Sequence, residues 1–311
     1  MGGYLFVHFR EKRTPDGEQI YFGLSRDGLR WSQVNEGRPV LWSMIGERGV
    51  RDATVVRHRD GRYFIIATDL SLSYSMASRY HNSWAELSRN GSQCLSVWET
   101  KDLIHFEPQR LIDFSGNGFG CLWAPDVFAP GPDQRYVLHW SSPIPGGGGK
   151  KAIYYAETDD FLSFSRPSIL YEKESGTVID SALYRQGDWC YLFVKSEKDP
   201  EAVILLRSRD WRGPYERMPA FDEEMARLQA GTYEAPTAFR APDGRWYLFL
   251  DYYGVPGRGQ GYVPFVADDL STGRFVRSDR AFSFPYGFKH GTVIPIDDQT
   301  YANLGKLLIE E

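Results

Sequence analysis

An internal repeat constrains this chain more than any other feature. Asp52-Ala53-Thr54-Val55-Val56, Trp123-Ala124-Pro125-Asp126-Val127, Asp180-Ser181-Ala182-Leu183-Tyr184 and His290-Gly291-Thr292-Val293-Ile294 each open an apolar run. Tyr233-Glu234-Ala235-Pro236 opens another, through Thr237 to Arg240 and then Arg245 to Leu250. The intervals are roughly 55–70 residues, and a recurring interval is the mark of one supersecondary unit used several times.

Four of the five opening runs lead into a tight polar turn: Arg59-Asp60-Gly61-Arg62, Gly131-Pro132-Asp133-Gln134, Gln186-Gly187-Asp188 and Pro242-Asp243-Gly244-Arg245. Asp-Gly between apolar alternations is a strong hairpin signal. A third and fourth strand follow, as at Leu95 to Asp102, Ile153 to Asp160, Ile204 to Asp210 and Phe265 to Leu270. Complete units begin near residues 53, 126, 181 and 237. Thr292 to Ile296 is a first strand with nothing after it, whereas the N-terminus (Tyr4 to Phe9, Ile20 to Ser25, Trp31 to Val34) supplies later strands without a first. Joining the two ends completes a further unit and removes an exposed sheet edge. The expected fold is therefore all-β: a five-bladed β-propeller, one domain over residues 1–311, closed by pairing the N-terminal strands with the C-terminal strand. Asp297 reads as the cap of a short C-terminal helix.

Composition narrows the function. The chain carries 9 Trp, 19 Tyr and 19 Phe, and aromatic rings suit both strands and flat polar ligands such as sugars. A net charge of −5 argues against nucleic acid, which needs a basic surface. No apolar run has the length of a membrane span, and the start Met1-Gly2-Gly3-Tyr4 lacks the basic region of a secretory signal, so a cytoplasmic setting is expected. The three cysteines, Cys94, Cys121 and Cys190, are too few and odd in number for a disulfide framework. Gly146-Gly147-Gly148-Gly149-Lys150-Lys151 lacks the Ser/Thr that a phosphate loop places after Gly-Lys.

The connections after the second strands are long, about Leu70 to Gln93, Pro143 to Lys150 and Tyr253 to Gly261. They share one face with the residues that open the first strands, and such a face is where binding usually sits. Asp52, Trp123, Asp180, Glu234 and His290 would converge there. For any one Asp the ordinary explanation is a turn or cap. Three acids at corresponding places in a closed repeat repel one another, a cost that chemistry explains better than structure.

These motifs resemble glycoside hydrolase family 43, five-bladed propellers that cleave arabinofuranosides and xylosides with inversion. The resemblance rests on Arg51-Asp52-Ala53, Trp123-Ala124-Pro125, Ile179-Asp180-Ser181, Glu234-Ala235-Pro236 and His290-Gly291, in blade order over the whole chain. Ala53 and Ser181 stand where the family usually has proline. The resemblance makes Asp52 the general base, Glu234 the general acid and Asp180 the residue that positions Glu234 and raises its pKa. It makes Trp123 the aromatic wall of the sugar subsite, and places His290 on the axis beside a calcium or water cluster, with a plain core histidine as the alternative. Trp84, Phe9 and Trp140 are further candidates for sugar contacts. The activity implied is release of terminal α-L-arabinofuranosyl units from arabinose- or xylose-containing oligosaccharides. A β-xylosidase or β-galactofuranosidase could use the same acids, and a catalytically silent glycan- or protein-binding propeller is the alternative of another class.

Overall fold

The computed structural model describes residues 2–257, 260–285 and 287–309, so Arg258 and Gly259 of the expected Tyr253 to Gly261 connection lie outside the described residues. The chain is all-β with short helices. Its strands are β1 (Gly3–His8), β2 (Tyr21–Ser25), β3 (Ser32–Gln33), β4 (Val50–Arg57), β5 (Tyr63–Asp69), β6 (Cys94–Thr100), β7 (Arg110–Asp113), β8 (Trp123–Phe128), β9 (Tyr136–Pro143) and β10 (Lys151–Thr158). They continue with β11 (Ser168–Tyr171), β12 (Val178–Gln186), β13 (Trp189–Glu197), β14 (Glu201–Ser208), β15 (Glu216–Arg217), β16 (Thr232–Arg240), β17 (Trp246–Tyr253), β18 (Gly261–Ala267), β19 (Val276–Arg277) and β20 (Gly291–Ile296). The α-helices are α1 (Trp84–Asn90), α2 (Pro219–Ala226) and α3 (Asp298–Leu304).

Two compact units divide the chain, Met1–Pro125 with Ser283–Glu311, and Asp126–Phe282. In the first unit the strands form one sheet in the order β3-β2-β1-β20-β4-β5-β6-β7. The last strand is antiparallel to the first, from Gly3 opposite Ile296 to His8 opposite Gly291. It meets β4 in parallel at one pair, Gly291 with Ala53. Gly291 permits this close approach, since a Cβ there would lie 2.0 Å from the carbonyl oxygen of Val7. Leu5, Val7, Phe22, Val55, Ile65 and Trp98 form the core. Each such side chain, fully buried, contributes about 1.5–3 kcal/mol. As expected from the sequence, Asp297 caps α3, accepting a hydrogen bond of 2.7 Å from the Thr300 N–H.

The second unit holds four-stranded sheets in the orders β12-β13-β14-β15 and β16-β17-β18-β19, and most of the sheet β11-β10-β9-β8. Phe193, Leu205, Phe221, Leu248 and Phe265 pack together in one core, and Phe128, Val137, Ile153, Leu192 and Ile204 in another. The hairpin turns fall where Asp-Gly and Gly-Asp predict them. Gly61, Gly187 and Gly244 adopt positive φ of 93°, 58° and 87°, a region open to glycine at no steric cost.

Two helical segments differ from the sequence expectation. The Leu70 to Gln93 connection is partly helical, with a wide turn over Leu72–Met76 and then α1, whose first N–H groups are capped by Ser83. The helix α2 begins at Pro219 and buries Phe221 and Met225, four residues apart, in the core of the second unit. Two apolar residues in one turn are too short a pattern to register as a helix in the sequence.

Candidate active site

One backbone irregularity recurs at four of the five strand openings that carry candidate site residues. Asp52, Ala124, Asp180 and Ala235 have φ of 53°, 49°, 52° and 53°, left-handed conformations that cost a non-glycine residue about 1–2 kcal/mol. The strand register slips at three of them, between Arg51 and Thr54, between Ile179 and Ser181, and between Glu234 and Thr237. These are β-bulges, which re-aim side chains beside functional sites. The bulges also correct the alignment of the repeat. Asp52 and Asp180 are themselves the left-handed residues, whereas Trp123 and Glu234 immediately precede theirs. The two aspartates therefore share one backbone position, and Trp123 and Glu234 share its neighbour.

In the first unit Asp52 is gripped on both carboxylate oxygens. His290 Nδ1 lies 2.8 Å from Oδ1, and the Thr68 hydroxyl donates to Oδ2 at 3.0 Å. Thr68 is fixed in turn, because its oxygen accepts the Ala124 N–H at 2.8 Å. Burial pushes the Asp52 carboxyl upward, but the charge and hydrogen bond of His290, the adjacent Arg51 and the Thr68 hydroxyl outweigh it and hold the group below the usual carboxylate range. Asp52 is thus an ionised, oriented carboxylate able to accept a proton.

Arg51 is tied to Glu18 at 2.9 Å and Glu11 at 3.5 Å, and Lys289 pairs with Glu11 at 2.7 Å. The Arg51 guanidinium stands 4.6 Å over the Phe9 ring. Phe9 is buried, so it supports Arg51 and does not offer the exposed face a sugar stacks on. Trp84, the first residue of α1, is 47% exposed and meets Trp123 edge to face, with ring centroids 6.3 Å apart. The structure thus brings these two candidate sugar-binding rings together. One residue beyond Thr68, Asp69 accepts the Glu47 N–H at 2.8 Å and the Ser92 hydroxyl at 2.6 Å. Burial, with a smaller contribution from the charge of Glu47, raises its pKa to about 6.

In the second unit Asp180 and Glu234 are joined through the backbone. The Asp180 N–H donates to the Ser141 hydroxyl at 2.9 Å, and Asp180 Oδ2 accepts the N–H of Ala235, next to Glu234, at 3.2 Å. Tyr253 donates its hydroxyl to Glu234 Oε2 at 2.8 Å. Burial and the charges of Glu234, Asp180 and Asp251 keep the Tyr253 phenol protonated far above its ordinary range. Both carboxylates thus act on Tyr253, Glu234 by its hydrogen bond and charge and Asp180 by its charge. Trp140 is fully buried and stacks on Tyr154 at 6.5 Å, so its ring is core packing and not a sugar platform.

Thr68, Ser141 and Tyr253 are site residues that the repeat motifs do not mark. A signal exists for the first two, since each is a polar residue near the end of an otherwise buried second strand. Tyr253 carries no such signal. His290 does not sit in a metal-binding group. Its Nδ1 faces Asp52, and among the described residues no group of three or more His, Cys, Asp or Glu could hold a metal ion.

Solved structures share the fold at low identity. BlXynB, a GH43 protein from Bacillus licheniformis, aligns at 16% identity and TM-score 0.61 over 100% of this chain and 57% of its own. An exo-1,5-α-L-arabinanase from a bovine ruminal metagenomic library aligns at 14% and 0.60, covering 88% of this chain and 92% of its own. The catalytic domain of a GH62 α-L-arabinofuranosidase from Coprinopsis cinerea aligns at 15% and 0.55, covering 81% and 74%. No curated protein matches the sequence. A family model described as a probable glycosyl hydrolase domain, related to family 43, matches residues 1–302, and the chain belongs to that family.

Proposed function

We propose that this glycoside hydrolase is an inverting, exo-acting enzyme that releases terminal α-L-arabinofuranosyl units from oligosaccharides, built as one five-bladed β-propeller. The observation that carries the reading is the pairing of an ionised, clamped Asp52 with a family in which that motif supplies the base. Asp52 takes a proton from water. Glu234, positioned by Tyr253 and by the Ala235–Asp180 link, gives a proton to the departing glycosidic oxygen. Such an acid and base, acting in one displacement, invert the anomeric centre. Trp123 and Trp84 supply rings for the sugar. The arabinanase and arabinofuranosidase among the structural neighbours favour a furanoside.

The test is hydrolysis of an aryl α-L-arabinofuranoside beside an aryl β-D-xylopyranoside, with Glu234→Ala as control. Turnover of the furanoside to the inverted anomer, lost in the variant, is the expected result. Turnover of the xyloside alone would keep the chemistry and replace the substrate. Binding of sugar without turnover of any glycoside would overturn the enzyme reading.

A further inference from the structure

Thr68 and Ser141 do the same job at corresponding places. Each sits near the end of the second strand of its sheet and accepts an N–H from the left-handed residue that opens a following sheet, Ala124 for Thr68 and Asp180 for Ser141. In β13 the residue at this place is Lys195, opposite Ile179 as Thr68 is opposite Arg51. An ammonium has no lone pair and cannot accept an N–H. The duty passes to Asp180, whose carboxylate takes the Ala235 N–H. Lysine here thus gives up a structural hydrogen bond that a serine or threonine would have made.

Lys195 is also 3% exposed, and its Nζ has no hydrogen-bond partner among the described residues. Burying an ammonium without a partner costs several kcal/mol. A buried residue that breaks the local pattern with no structural gain marks a functional site. Its placement is specific. The bulge leaves Asp180 as the extra residue between Ile179, which is opposite Lys195, and Ser181, which is opposite Val194, across the β12–β13 pair. Along β13 Lys195 alternates onto the face of Tyr191 and Phe193, which belong to the same core as Tyr233, the neighbour of Glu234.

We propose that Lys195 is a sugar-binding residue, its ammonium donating hydrogen bonds to a hydroxyl of the glycosyl unit held against Asp180 and Glu234. This rests on the glycosidase reading above. The bound sugar supplies the acceptor that the protein withholds, and the charged donor makes that hydroxyl a requirement of the substrate.

The experiment compares wild type with Lys195→Met on the best aryl glycoside and on its set of monodeoxy analogues. A charge-assisted hydrogen bond is worth about 10- to 100-fold in kcat/KM, and Lys195→Met should lose that much on the parent substrate. One deoxy analogue should cost the wild type the same factor and cost the variant nothing further. The melting temperature should hold or rise, because replacing an unpartnered buried charge with an apolar chain of similar volume removes a penalty. Wild-type turnover with kcat/KM of Lys195→Met within about threefold would overturn the inference alone. So would a loss equal on every analogue with a lowered melting temperature, which would make Lys195 structural. A wild type that turns over no glycoside would overturn the glycosidase reading and this inference with it.

Discussion

The carboxylate of the first unit and those of the second are held by opposite means. Asp52 is surrounded by groups that favour its charge: an imidazole at 2.8 Å, a hydroxyl at 3.0 Å and a neighbouring guanidinium. The charges of Asp180, Glu234 and Asp251 instead act on one phenol, Asp180 accepts the Ala235 N–H, and Glu234 accepts the Tyr253 hydroxyl. Cationic and hydroxylic surroundings keep Asp52 ionised. The charges of the three acids, after burial, keep the Tyr253 phenol protonated. The same bulged strand opening presents Asp52 and Asp180 to different neighbours.

The largest effect should come from removing either group while keeping its shape. Asp52→Asn should lose about 10²- to 10⁴-fold in kcat, equally for aryl glycosides with good and poor leaving groups. Glu234→Gln should lose as much with poor leaving groups but far less with good ones, which depart without a proton. Kinetics across a leaving-group series read this directly, and equal sensitivity in the two variants would erase the contrast. Next comes His290→Ala, which takes away the strongest influence lowering the Asp52 pKa. The acidic limb of the kcat/KM profile should move to higher pH, with a loss of about tenfold at neutral pH. An unmoved limb would show that His290 is not what keeps Asp52 ionised.

The third test moves no rate. Asp69 has a folded pKa of about 6 against an ordinary 3.8, so the folded state binds more protons and stability falls as pH rises from roughly 4 to 6. Asp52 has the opposite sign. Its contribution is present above the ordinary carboxylate pKa and lost as pH falls through its depressed value. Denaturant midpoints measured against pH should show the Asp69 slope disappear in Asp69→Asn and persist in Asp52→Asn.

The strands and the acids were legible in the sequence because turn chemistry and repeat spacing are local. Asp60-Gly61 and Asp243-Gly244 announce their hairpins, and Asp52, Asp180 and Glu234 announce themselves by recurrence. The one-residue offset between the aspartates and Glu234 was not legible, since a bulge depends on how two strands pair. Nor was the burial of Phe9 and Trp140, because an aromatic at a strand end reads the same whether it faces ligand or core. Tyr253 and Lys195 matter through what lies across the sheet, and nothing in their flanking residues says so.

The pairing of β1 with β20 has a consequence for how the molecule comes into being. These two strands lie far apart in sequence, so their sheet is complete only once residues 291–296 have been made. Contacts this distant in sequence also close slowly, because the entropy of joining the ends is spent before the strands reward it. The sheet edge that β20 will cover stays bare for most of the folding time, open to pairing with another chain. Yield on refolding should therefore fall steeply with protein concentration, because the strand that covers that edge is the last of the twenty in chain order.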